Sequence, residues 1–190
     1  MRRRSTLRWW LLLLAVCVSG ASAWSAFARD ITVESAHDKI VNDMFLIDID
    51  AKFAFSDDAI KAINSGIPLT IALDVKVLWP RKYLWDVELV STHRDLTIER
   101  HALSQQFVLS DRVTGERRVY GSLALAIADL GHIRDLPVVE IAELAQTKTC
   151  DVSVRLRLDL QSLPGPLIPI AYISPGWHMS SGWYRWQTHR

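Results

Sequence analysis

The sequence predicts a mainly β protein: an antiparallel β-sandwich of immunoglobulin-like architecture with two or three short helices. Three observations predict it. Three long runs alternate apolar and polar residues with a period of two, which gives each strand one buried and one wet face, the signature of antiparallel sheet. Turn residues separate these runs at short intervals. The composition, 49% hydrophobic and 23% charged over 190 residues with a formal charge of +1, fits one globular domain. The same figures exclude a disordered chain, and a nucleic-acid binder that works by bulk charge.

The elements follow in chain order. Ile31–Ser35 is a weak strand, and Asn42-Asp43 turns a hairpin into the alternating run Phe45, Ile47, Ile49, Ala51, Phe53 and Phe55, with Asp48, Asp50 and Lys52 between. Ser56 is a natural helix N-cap, Asp57 and Asp58 sit at the positive end of the helix dipole, and Gly66 closes the helix before Pro68. Asp57-Asp58 therefore reads as a cap, not as a catalytic carboxylate pair. Ile67 to Val77 is the second strong strand, with Thr70, Asp74 and Lys76 on its wet face. Weaker strands are Trp85–Ser91, Asp95–His101, Gln105–Ser110 and Arg117–Gly121, with Thr114-Gly115-Glu116 in a loop. Ser122 to about His132 is a helix with Leu123, Ile127 and Leu130 on one stripe. Leu136–Gln146 reads either as a short helix opened by Pro137 or as a strand from Val138 to Ile141. Asp151–Leu160 alternates without a break. The prolines of Leu163–Ile170 end the sheet there, so the chain is expected to cross to another edge. An open sheet with one or two helices across it is the alternative arrangement.

The first residues read as an export signal. Arg2, Arg3, Arg4 and Arg8 precede an uncharged run from Trp9 to Val18, followed by the small-residue sites Ala21-Ser22-Ala23 and Ala26-Phe27-Ala28. The expectation is a signal peptide over residues 1–28, cut after Ala23 or Ala28, and a single β-rich exported domain over residues 29–190. The apolar run is short of the roughly 20 residues of a spanning helix, which favours cleavage; retention would leave an inner-membrane anchor. Thr6 stands where a twin-arginine signal has a bulky apolar residue, and Val16 precedes Cys17 where lipid attachment needs a small one, so ordinary secretion is expected. The first 23 residues hold four basic residues and none of the 21 acidic ones, so the domain itself is mildly acidic. Cys150 is then the sole cysteine, and no disulfide forms within the mature chain.

The search for chemistry is nearly empty. The sequence contains no nucleophile elbow, phosphate loop, dinucleotide fingerprint or zinc-protease helix, and no catalytic residue, metal ligand or cofactor is assigned. His93 and His101, eight positions apart, are too distant on one strand to grip a single ion, and Cys150 beside a strand reads as an inert buried thiol. Eight tryptophans are the unusual feature, with Trp177, Trp183 and Trp186 close to the C-terminus. An extended tail would put Trp177 and Trp183 on one face and Tyr184 and Trp186 on the other, so that one set packs inward and the other shows its rings. Trp79 and Trp85 bracket the basic-aromatic loop Pro80–Leu84. These five tryptophans are the candidate binding residues, for a protein surface or a glycan.

Several of these features, in order, resemble a family of exported proteobacterial proteins catalogued as domain of unknown function 4390, sometimes labelled proline-rich signal-peptide proteins. They are the signal peptide, Asn64-Ser65-Gly66-Ile67-Pro68-Leu69, the strand around Trp85, Arg155-Leu156-Arg157-Leu158-Asp159-Leu160, Leu163-Pro164-Gly165-Pro166-Leu167 and the tryptophan-rich tail. The resemblance covers about Asp30 to Trp186 and implies no reaction and no catalytic residue. It implies envelope signalling as a context, because members are often encoded beside a membrane sensor kinase of the nitrogen-regulation type. The expected function is a non-enzymatic periplasmic domain that binds an envelope or inner-membrane protein, such as that kinase, through a sheet edge or the tryptophan-rich end. A cell-wall glycan module is the first alternative, and an envelope hydrolase using Cys150 or a histidine pair the second.

Overall fold

A computed structural model describes residues 31–81, 86–144 and 149–189, so the signal peptide and Trp85 lie outside the described residues. Two antiparallel sheets face one another. β1 (Ile31–Val41), β2 (Met44–Phe53) and β7 (His132–Glu140) form the smaller, in the order β1-β2-β7. The larger contains β3 (Leu69–Trp79), β4 (Val87–Arg100), β5 (Phe107–Asp111), β6 (Arg117–Tyr120), β8 (Thr149–Leu158) and β9 (Tyr184–His189), in the order β6-β5-β4-β3-β8-β9. β1 lies against β8 and β7 against β4, which aligns the two inner faces.

The alternation read from the sequence is the burial pattern of the sandwich. Leu69, Ile71, Leu73, Val75 and Val77 point inward from β3, Val152, Val154, Leu156 and Leu158 from β8, and Phe45, Ile47, Ile49 and Ala51 from β2. Burying each of the larger of these side chains contributes about 1.5–3 kcal/mol. Asn42 and Asp43 both have positive φ, 51° and 61°, the two-residue turn whose twist matches a hairpin. α1 (Asp57–Asn64) is capped by Ser56, whose Oγ accepts from the Ala59 N–H, and it buries Ala59, Ala62 and Ile63. α2 (Leu123–Leu130) is capped the same way by Ser122 and packs against β2, β5 and β7. At its end Gly131 approaches β2 so closely that its carbonyl accepts from Ala51 N–H at 2.9 Å.

Four expectations need correction. The two strands expected at Trp85–Ser91 and Asp95–His101 are one strand, β4, because the polar interval between them pairs in register with β3 from Val75↔Thr92 to Leu73↔Arg94. Of the two readings of Leu136–Gln146, the strand holds as far as Glu140 but begins earlier, as the end of β7, and its expected last residue Ile141 instead opens a 3₁₀ turn over Ile141–Leu144. The proline segment does not cross to another edge. It wraps the end of the sandwich through 3₁₀ turns at Leu160–Ser162 and Gly165–Leu167, α3 (Ile168–Ile173) and a turn at Pro175–Trp177. The chain then returns to pair with β8, the strand it left. Nor is the tail extended throughout: Trp177 ends a 3₁₀ turn, and only β9 is strand.

Candidate functional site

The outward face of the larger sheet carries the side chains that the alternation left wet. At its centre Asp74 on β3 is gripped from both neighbouring strands. Arg155 on β8 donates to its Oδ2 from Nη2 at 2.7 Å and from Nε at 3.1 Å, and Arg157 donates from Nε at 3.1 Å. His93 Nδ1 on β4 lies 2.8 Å from Oδ1, and His93 Nε2 lies 2.8 Å from Asp95. Register explains the convergence, since Asp74 pairs directly with both His93 and Arg155. Burial works to raise the Asp74 pKa, but hydrogen bonds from Arg155, His93 and Arg157 outweigh it and hold the carboxyl below its ordinary value.

Trp183 sits over this cluster. Gly182, at φ 67°, turns the chain just before β9, and the alternation that follows sends Tyr184, Trp186 and Thr188 inward and leaves Trp183, Arg185 and Gln187 outward. Trp183 is 42% exposed, with the Arg155 guanidinium 4.6 Å and Lys76 Nζ 5.7 Å from its ring centroid. Both distances lie within cation–π range. Lys76 is also paired with Glu88 at 2.6 Å. The ring is thus an exposed aromatic held by charged neighbours on a rigid sheet.

The other sequence-selected tryptophans have different fates. Trp177 is 6% exposed and belongs to the core; beside it Ser56 Oγ donates to the Gly176 carbonyl at 2.7 Å, tying the turn to α1. Trp186 is half-buried, its ring centroid 6.0 Å from that of Tyr184, and its Nε1–H donates to Asp38 of β1 at 2.8 Å. Thr188 donates to the other Asp38 oxygen at 2.5 Å. These bonds close the β1/β9 side of the sandwich, so Trp186 ties the two sheets together. Trp79 is exposed at the far end of β3, with Arg81 stacked 5.1 Å from its ring centroid. The tail therefore shows one ring, Trp183, not a set of coplanar rings. Asp74, Arg155, Arg157, His93 and Lys76 were missed as a site. The signal was present in the polar positions of the alternating strands, but only the register of β3 with β4 and β8 shows that they converge.

A second polar region opens at the side of the sandwich, where residues of both sheets meet α2. A cleft of about 330 Å³ between β4, β5, α2 and β7 is lined by Arg94, Asp111, Arg118, Asp129, His132 and Arg134, among others. Arg94 pairs with Asp111 and Arg118 with Asp129. Burial acts against ionisation of Asp111, but Arg94 and the backbone N–H groups of Thr114 and Val113 lower its pKa overall. Burial and the neighbouring Asp129 push Tyr120 up to about 12. Arg118 also lies within 3.5 Å of Glu116, and His132 and Arg134 both pair with Asp50, so each charged side chain named here faces a partner of opposite sign. Among the described residues, no group of three or more His, Cys, Asp or Glu is arranged to hold a metal ion. Cys150 is buried on β8 opposite Thr188.

No curated protein and no solved structure matches this chain. A family model does match it, over residues 28–187, a span that contains the smaller sheet, all of the larger sheet but the last two residues of β9, the Asp74–Trp183 face and the lateral cleft. The chain belongs to that family, described as Domain of unknown function (DUF4390).

Proposed function

We propose that this protein is a non-enzymatic, exported periplasmic domain that binds an envelope or inner-membrane protein through the outward face of its larger sheet. The observation that carries the reading is Trp183. A rigid, partly exposed tryptophan flanked by arginine and lysine has the composition of an interface hot spot. It costs little side-chain entropy to bury, because Arg155 and Lys76 already hold the ring. The N-terminal signal pattern supports the compartment. The gene neighbourhood implied by the resemblance makes a membrane sensor kinase the first partner to examine. A cell-wall glycan module is the second reading. It rests on the same ring, which would stack on a sugar face.

The test is a crosslinking pull-down of tagged protein from intact cells, with fractionation of the same culture, comparing the natural chain with Trp183→Ala. Recovery of an envelope protein by the natural chain, reduced at least tenfold by the substitution, is the expected result. A thermal melt of the variant checks that the fold survives. Recovery of peptidoglycan fragments alone refutes the protein-interaction reading in favour of the glycan module. An unchanged protein partner with Trp183→Ala refutes the assignment to this face.

A further inference from the structure

The excursion between β8 and β9 has an unusual surface. From Asp159 to Arg185 there is no intervening Asp, Glu, Lys or Arg. Within that span Ile170 and Tyr172 are each 51% exposed and Ile173 is 83% exposed. Pro164, Pro166 and Pro169 are exposed beside them. Two exposed isoleucines and a tyrosine within four residues, with no charge in their own segment, form the kind of apolar surface that marks an interaction site when it is contiguous. The backbone is suited to a poorly hydrated environment. The prolines have no N–H to leave unpaired, and Leu167, Ser174, Trp177 and His178 donate to Pro164, Ile170, Ser174 and Pro175 within the segment. The segment offers no strand edge for another chain to pair with, which weighs against a β-augmenting peptide.

The position of this cap points to its occupant. The chain enters the fold at Ile31, which pairs with Phe53 at the open end of the β1–β2 hairpin. Phe53 stacks on Phe55, and the next residue, Ser56, bonds to Gly176 of the cap. Where the signal is retained as an inner-membrane anchor, the alternative to cleavage on which this inference rests, the apolar run Trp9–Val18 is joined to the cap's own end of the sandwich through residues 19–30. Those residues reach at most about 40 Å when fully extended. We infer that the surface formed by Pro164 to Ile173 rests on a lipid bilayer, with Ile170 and Ile173 in contact with the acyl-chain boundary and Tyr172 at the headgroup level. An aliphatic tip with an adjacent tyrosine is the composition of a membrane-interface contact, in which the ring's apolar body and polar hydroxyl are both satisfied. This contact orients the domain. Tyr172 also lines a shallow depression of about 410 Å³ with His93 and Arg157, so the cap borders the Asp74–Trp183 face and holds it beside the membrane surface.

The experiment uses the full chain with Cys17→Ala, carrying a polarity-sensitive fluorophore on a cysteine introduced by Ile173→Cys. The control carries it at Val41→Cys, an exposed position beside the turn at the other end of β1. An unlabelled-site parent measures any background from buried Cys150. Each protein is reconstituted in phosphatidylethanolamine–phosphatidylglycerol vesicles that contain nitroxide-bearing lipid. The expected result is a blue-shifted probe at position 173, quenched several-fold more than the probe at position 41. Equal quenching at the two positions overturns the inference. So does protection of position 173 without lipid: on raising the protein concentration it identifies a second copy as the occupant, and with a co-purifying protein it identifies a protein.

Discussion

Replacing Gly131 by alanine tests how tightly the α2–β7 junction is held against β2 of the smaller sheet. A Cβ at this position would stand 2.2 Å from the Ala51 carbonyl oxygen and 3.3 Å from that of Ala128. Relieving the first contact requires the junction to move about 1 Å away from β2, since ordinary carbon–oxygen contacts lie beyond about 3.2 Å. Moving it strains or breaks the 2.9 Å bond from Ala51 N–H to the Gly131 carbonyl. Overpacking of this kind costs about 1–3 kcal/mol and the lost hydrogen bond about 1 kcal/mol more. The lower entropy of the unfolded alanine chain offsets about 0.5 kcal/mol. The net expectation is a loss of about 1.5–3.5 kcal/mol, which lowers Tm by roughly 3–14 °C in a domain of this size. Urea and thermal unfolding followed by circular dichroism measure it. Gly121→Ala is the matched control, because a Cβ there meets nothing within 4 Å, and its Tm is expected to stay the same or rise slightly. If Gly131→Ala unfolds within 0.5 kcal/mol of its parent, the close approach of α2 to β2 is not a constraint on the fold and the argument fails.

Two further outcomes follow from the ties between strands. Trp186→Phe keeps an aromatic ring on β9 but removes the donor to Asp38, and is expected to cost about 1–2 kcal/mol, since the acceptor is a partly buried carboxylate; an unchanged urea midpoint would show that the β1/β9 tie contributes nothing. Acid stability has a defined sign at Asp50, whose pKa is lowered to about 2 by hydrogen bonds from Arg134 first, then His132 and Ser35, against the opposing effect of burial. A carboxyl depressed in the folded state stabilises fully above its unfolded value of 3.8, and that contribution is lost as pH falls from there toward 2. The shift corresponds to about 2.4 kcal/mol before solvent screening is considered and about 1 kcal/mol after it. Asp50→Asn is therefore expected to be less stable than its parent at pH 6, with the difference shrinking as pH approaches 2; a difference constant with pH contradicts the assignment.

Among the strands, legibility in the sequence tracked how local the physical cause was. β8 is plain from Val152 to Leu158, because every second side chain meets the same core and the period of two survives the whole element. The Ser56 and Ser122 caps were equally readable, since an N-cap bond spans three residues. β4 was read as two pieces because Arg94 breaks its apolar pattern. That arginine sits on the inner side at the rim of the sandwich and is neutralised by Asp111, a partner 17 positions away that no window on β4 contains.

The C-terminal segment shows the boundary most clearly. The sequence by itself determined that the chain is a two-faced β protein, which residues of β2, β3 and β8 form its core, and where its first helix begins. It also marked the tail as tryptophan-rich and the stretch before it as proline-rich. Only the tertiary structure decided which tryptophan goes inside. Trp177 is buried because the turn at Pro175–Trp177 folds back onto α1, Trp186 is held because Asp38 lies across the sheets from it, and Trp183 is left outside by the turn at Gly182. The convergence of Asp74, His93, Arg155 and Arg157 was decided in the same way, by the registers of β3 with β4 and β8. Alternation along a strand reports which face a side chain takes. Which neighbour it meets there depends on strand pairing between segments 19 to 83 residues apart, and that information resides in the packing of the whole chain.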